Sequence, residues 1–285
     1  MKLCDRRDFD DPEIRAAIRD VVPGRSSDEE VERKYWEYAM LVLFMRDVGA
    51  LREDADVLAV AAGHEEPLFW LANRVRRVVA TDIYGDGGFS SGEAESRMLD
   101  APDSFAPYPY KRDRLEVRWM DARELEFPDE SFDFVFSLSS IEHFGGPRDI
   151  ARAAAEVGRV LRPGGHACIV TECFVRSHPL DSPLVQTAIR GLTLGRRCGV
   201  ATPTRRVVEV FSASELEPRI VRPSGLRLLQ PLDVELSPET FDNVARLHPD
   251  GRLETPSGRR HPHIALAGPG APWTSVCLVL EKPAD

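Results

Sequence analysis

The chain is 285 residues long, enough to bury one large core or a medium core with substantial insertions. Its hydrophobic share of 42% and charged share of 29% are those of an ordinary globular protein, and no apolar run reaches the roughly 20 residues of a membrane helix. A formal charge of −10 argues against nucleic acid as the main partner, because such binding needs Lys and Arg to neutralise phosphates. Arg196, Arg197, Arg205 and Arg206 fall in one stretch and read as a solvated loop.

The opening string MKLCDRRDFDDPEIR carries acids where a signal peptide needs an apolar stretch, so a cytoplasmic location is expected. Neither nucleic acid nor a membrane is expected as partner, and the sequence does not specify an oligomeric state. Cys4, Cys168, Cys173, Cys198 and Cys277 are odd in number and form no C-x-x-C pair, which fits reduced thiols. Cys168 and Cys277 lie in apolar strand-like runs and read as core.

Pro12 suits a first helical turn, and residues 13–22 alternate apolar and charged types at helical spacing until Pro23-Gly24. Ser27 with Glu30 reads as a capping box that opens a helix over 28–48, with Val31, Tyr35, Tyr38, Val42 and Met45 on one stripe. Residues 1–50 therefore read as an N-terminal helical cap on a domain spanning 51–285.

Strands are expected at 56–61, 78–82, 115–119, 132–137 and 166–171, with helices over 67–76 and 148–161. The continuous apolar runs VVATD and DFVFS suit strands buried on both faces, and alternation with helices implies a doubly wound, mostly parallel α/β sheet. The rhythm breaks after Thr171. Residues 174–210 and 237–272 read as insertions that close over the strand ends, with a short helix over 215–222 between them. Strands at 226–234 and 274–281 follow each other without a full helix between them, which suggests an antiparallel hairpin at the sheet edge.

In such a sheet, ligands bind beyond the carboxyl ends of the strands. After the first core strand comes Ala61-Ala62-Gly63, where small residues permit close backbone approach and a helix N-terminus follows. Asp82 ends the second strand, 19 residues after Gly63, the spacing of a carboxylate that accepts from both hydroxyls of a ribose. Asp121, after the third strand, can accept from an exocyclic amine such as that of adenine. His143, six residues after Ser137, is a candidate general base or a packing residue.

The strings WMDARELEFPDESFDFVFSLSSIEHFGG and ARAAAEVGRVLRPGGHACIVTE closely resemble class I S-adenosylmethionine-dependent methyltransferases of the small-molecule type, over residues 55–172. The resemblance implies a seven-stranded Rossmann-like sheet and S-adenosylmethionine as cofactor. It places Ala61 and Gly63 in the loop beneath the cofactor's methionine part, Asp82 on the ribose and Ile83 beside the adenine. Asp121 and Ala122 match the pair that contacts adenine. Ser137 and Ser139 stand where methionine and substrate meet, and residues 161–165 match a structural turn.

One departure concerns the first motif, where VLAVAAGHE puts Ala59 in place of the family's acid, Ala61 in place of the first glycine and Glu65 in place of the last. Glu65 and His64 are the residues at hand to replace the acid. The expected reaction is methyl transfer to oxygen or nitrogen of a small-molecule, sugar or glycan-precursor acceptor, with His143 as base for a hydroxyl. His178, His261 and His263 could approach the same cleft. The His261-Pro262-His263 pair has no neighbouring ligand cluster, so no metal is expected. A nicotinamide oxidoreductase would need G-x-G-x-x-G after the first strand, which is missing. The alternative is a non-catalytic binding or assembly module that keeps the fold.

Overall fold

The computed structural model describes residues 2–25, 31–175, 188, 192, 209–242, 244–248, 252–254, 264–268 and 271–284. The N-terminal part contributes β1 (Lys2–Leu3), α1 (Pro12–Val21) and α2 (Arg33–Asp47). The Asp11 side chain accepts from the Glu13 N–H and Pro12 occupies the first turn, so α1 starts where an orphan amide has a partner. The expected capping box at Ser27 and Glu30 lies outside the described residues. Helix α2 carries no single apolar stripe. Trp36, Ala39, Leu41 and Phe44 are buried along with Tyr35, Tyr38, Val42 and Met45, because the helix is covered on nearly every side.

The core alternates β2 (Asp56–Val60), α3 (Glu66–Ala72), β3 (Arg77–Asp82), α4 (Arg97–Asp100), β4 (Leu115–Trp119), β5 (Phe132–Leu138), α5 (Pro147–Val160) and β6 (Leu161–Phe174). Beyond them come β7 (Arg227–Leu228), β8 (Val244–Leu247), β9 (Leu253–Glu254), β10 (Ala265–Ala267) and β11 (Pro272–Glu281). The strand order is β4-β3-β2-β5-β6-β11-β10-β8-β9, with β1 and β7 also pairing with β11. Strands β2 to β6 run parallel, and β11 runs antiparallel to β6 with Val276 opposite Thr171. The chain steps outward from β2 to β4 and returns on the other side at β5, so strand order reverses between β2 and β5. That reversal is the ligand-binding switch point of an open α/β sheet.

The C-terminal part departs from the expected hairpin. Strand β11 is interior, lying between β6 and β10, and the expected strand at 226–234 shrinks to β7. The Leu229 N–H still reaches the Val279 carbonyl at 3.0 Å, but Pro231 has no N–H to continue the ladder. Within 237–272, expected as irregular, the chain adds β8, β9 and β10 to the sheet. The described sheet thus has eleven strands rather than seven. The surplus strands span two to four residues each, too short to leave a periodic signal. Cys168 and Cys277 are both fully buried, their sulfurs 3.7 Å apart. No helix among the described residues is long and apolar enough to cross a membrane.

Candidate active site

A cavity of about 880 Å³ lies over the carboxyl ends of β2, β3, β4 and β5, at the reversal of strand order. That volume is in the upper part of the roughly 300–1,000 Å³ usual for small-molecule sites.

The floor begins with the turn after β2. Ala61 holds φ at 51° and Gly63 at 48°, both left-handed. For Ala61 this costs about 1–2 kcal/mol, so the surrounding contacts must impose it. A Cβ on Gly63 would meet the Glu93 carbonyl oxygen at 2.4 Å, which explains why this position alone keeps glycine. The Gly63 N–H donates to Asp82 Oδ2 at 2.9 Å, and the Tyr84 hydroxyl donates to the Gly63 carbonyl at 2.7 Å.

Asp82 therefore spends one acceptor site on Gly63 and another on the Ile83 N–H, which donates to Oδ1 at 2.7 Å. A carboxylate offers about four lone-pair sites, so about two stay open toward the cavity. Burial pushes the Asp82 pKa up, against the pull of those two amides. Ile83 and Ala122 also line the cavity.

Asp121 is more heavily committed than its spacing suggested. Arg123 grips it with Nε at 2.9 and 3.0 Å and Nη2 at 2.6 Å, and the Arg123 N–H donates to Oδ1 at 2.8 Å. The Arg123 hydrogen bonds hold its carboxyl below the usual range. An exocyclic amine would have to displace part of this pairing.

The two serines after β5 separate. Ser139 lines the cavity with φ at 51° and donates to Glu37 Oε1 at 2.7 Å. Ser137 is inside β5, is not part of the cavity wall, and its buried Oγ has no hydrogen-bond partner among the described residues. His143 closes a single 3₁₀ turn, Ile141–His143, and lines the cavity. Its Nδ1 is 3.1 Å from Glu209 Oε2 and its ring is 5.0 Å from that of Phe89. With Glu209 accepting from Nδ1–H, Nε2 is the proton acceptor. His178, His261 and His263 lie outside the described residues.

Sequence reasoning missed an ionic cluster supplied by α2. Lys34 Nζ pairs with the Glu65 carboxylate and lies 3.3 Å from Glu37 Oε2 and 3.5 Å from the Leu138 carbonyl. Glu37, only 1% exposed, also accepts from the Ser275 hydroxyl at 2.5 Å. Burial raises the Glu37 pKa, but the Lys34 and Arg33 charges and the two serine hydroxyls outweigh it and hold the group ionised. Glu65 goes the other way: burial, with Glu37 and Glu66 nearby, pushes it up to about 7 despite Lys34. Arg33 in turn pairs with Glu172 at 2.5 Å. Behind His143, Glu142 is buried beside Glu172 and pushed up to about 7, with the Thr171 hydroxyl donating to it at 2.7 Å. The visible hint was Glu65 at a position where glycine was expected. Lys34, Glu37 and Glu209 left no local signal, because their partners are distant in the chain.

Residues 58–169 match a family described as "Methyltransferase domain". The match spans β2 to β6, the part of the sheet that carries the cavity. The chain is 33% identical over 122 residues to a 27-O-demethylrifamycin SV methyltransferase of Amycolatopsis mediterranei, covering 42% of this chain and 39% of that protein. It is 26% identical over 178 residues to the methyltransferase GfsG of Streptomyces halstedii, covering 62% and 55%. The fold matches the crystal structure of geranyl diphosphate C-methyltransferase from Streptomyces coelicolor A3(2) with a TM-score of 0.53 at 14% identity, over 95% of this chain and 87% of that one. The matched regions span only about two fifths and just over half of the two sequence relatives.

Proposed function

We propose that this protein transfers a methyl group from S-adenosylmethionine to a hydroxyl oxygen, or a nitrogen, of a small-molecule, sugar or glycan-precursor acceptor. The observation that carries the reading is Asp82. It stands at the end of β3, next to the switch point, with about two acceptor sites open beneath a cavity large enough for a nucleoside-sized ligand and an acceptor together. The donor set fits the cofactor. Asp82 would accept from the two ribose hydroxyls, and Ile83, Met120 and Ala122 offer apolar surface to an adenine. Asp121 could take the exocyclic amine once Arg123 yields, and Ala61 with Gly63 would run under the methionine part. When bound, S-adenosylmethionine supplies a methyl group already activated by its sulfonium, so the protein's work is alignment and exclusion of water.

The protein's own acid–base chemistry centres on His143. Glu209 sets the tautomer through Nδ1, and Nε2 then takes the proton of an acceptor hydroxyl as its oxygen bonds to carbon. This pairing favours oxygen over nitrogen, since an amine that binds neutral needs no base. The Amycolatopsis relative, a 27-O-demethylrifamycin SV methyltransferase, points the same way. Ser137 is behind the cavity wall, and the proposed site draws on Ser139 instead. The test is to incubate the purified protein with methyl-labelled S-adenosylmethionine and panels of hydroxyl and amine small molecules. Label in a hydroxyl compound, lost in His143→Ala, supports the reading. A protein that binds cofactor yet labels nothing in either panel favours the non-catalytic binding module, to which the altered first motif would be suited.

A further inference from the structure

The strand position that carries an acid elsewhere in the family is Ala59 here, fully buried and unable to hold a charge. The cavity nevertheless contains a charged group of its own making. Lys34, Glu37 and Glu65 all line it, within one connected ion-pair cluster. Lys34 is the cation that contacts both carboxylates, while Arg33 beside it pairs with Glu172 and acts on Glu37 through its charge. Glu37 is anchored by the Ser139 hydroxyl beyond the end of β5 and the Ser275 hydroxyl within β11. Glu65 and Lys34 have fewer such ties. Glu65 is the residue before α3, where no side-chain cap bond ties it to the helix, and Lys34 is about a third exposed at 32%.

Such a cluster suits a zwitterion. An α-amino acid brings an ammonium and a carboxylate on neighbouring atoms, so it adds one charge of each sign. Its ammonium can take the place of Lys34 against Glu65, with Glu37 behind it as a fixed negative charge. Its carboxylate can then accept from the released Lys34 ammonium, which has three donors to share. The location is also right. Glu65 is two residues beyond Gly63, whose N–H holds Asp82, so the cluster and the ribose carboxylate flank one short turn.

We propose that Lys34, Glu37 and Glu65 bind the amino-acid end of the cofactor, with Glu65 taking the ammonium and Lys34 the carboxylate, in place of the acid that Ala59 cannot supply. The assignment rests on the cofactor reading above. It makes α2 part of the cofactor site and not only a cover over it.

The test compares two ligands that share the adenosine and thioether and differ in the amino-acid end: S-adenosylhomocysteine and 5′-methylthioadenosine. Binding of each is measured by calorimetry on the unaltered protein, on Lys34→Met and on Glu65→Gln. Both substitutions are expected to weaken S-adenosylhomocysteine tenfold or more while 5′-methylthioadenosine stays within twofold. The unchanged second ligand also shows that the variant is folded, and Glu65→Gln, close to isosteric, carries the comparison by itself if Lys34→Met does not fold. If the two ligands weaken together, or neither weakens, the cluster only holds α2 in place and the proposal is overturned. If neither ligand binds the unaltered protein, the cofactor reading fails and takes this inference with it.

Discussion

The backbone N–H of Gly63 donates to Asp82 Oδ2 at 2.9 Å, joining the turn after β2 to the end of β3. One carboxylate thereby shapes the turn that would pass under the cofactor and would present its remaining acceptor sites to the ribose. The two jobs are coupled, because a ligand that engages Asp82 meets a turn already held in position.

Asp82→Ala should weaken S-adenosylhomocysteine binding by on the order of 2–3 kcal/mol, since a charged acceptor for two hydroxyls is lost. Asp121→Ala should cost less, because Asp121 is already satisfied by Arg123. Calorimetric affinities of the two variants decide the ranking. Equal losses would mean that Arg123 releases Asp121 at no cost.

Gly63→Ala should destabilise the fold by roughly 1–3 kcal/mol, because the new Cβ combines a left-handed φ with a 2.4 Å approach to the Glu93 carbonyl oxygen. Thermal unfolding without ligand measures it. An unchanged melting temperature would show that the 89–94 turn gives way freely.

His143→Ala should lower turnover by about 10²–10⁴ on a hydroxyl acceptor, with S-adenosylhomocysteine affinity kept within twofold. Glu209→Gln should lower it less, because Glu209 only orients the ring and its side chain is more than half exposed, at 59%. Normal turnover in His143→Ala would reduce the residue to packing against Phe89.

Glu142 links stability to pH. Burial beside Glu172 raises its folded pKa to about 7 from an ordinary value near 4.5. Protonation is therefore favoured in the folded state. The stability this contributes is fully present below about pH 4.5 and is lost as pH rises through about 7. Glu142→Gln keeps an acceptor for the Thr171 hydroxyl and removes the buried charge. Its unfolding free energy at pH 8 should exceed that of the unaltered protein by on the order of 1–3 kcal/mol, a margin that shrinks toward pH 5. A margin independent of pH would contradict this origin.

Much of the site was legible because a βαβ unit places strand ends at regular spacing. Gly63, Asp82 and Asp121 could be found by counting from apolar runs and Ser139 from the resemblance, and all four line the cavity. Ser137 fails for a geometric reason. Alternation along a strand would put residues 137 and 139 on the same side, but the left-handed φ of Ser139 breaks the pattern at the strand end. The short strands β7 to β10 could not be seen, because pairs of two to four residues are specified by their partner β11 and not by their own periodicity. Lys34 and Glu37 lie an i,i+3 step apart on α2, and only folding places Glu65, Ser139 and Ser275 around them.

The central claim is that the carboxyl ends of β2, β3 and β4 bind S-adenosylmethionine, and calorimetric titration of the purified protein with S-adenosylhomocysteine tests it most directly. A saturable heat signal is expected, with a melting temperature that rises in step and a stabilisation of about 2.7 kcal/mol at a hundredfold excess over Kd. No heat and no shift at about 1 mM, for either S-adenosylhomocysteine or S-adenosylmethionine, would contradict it.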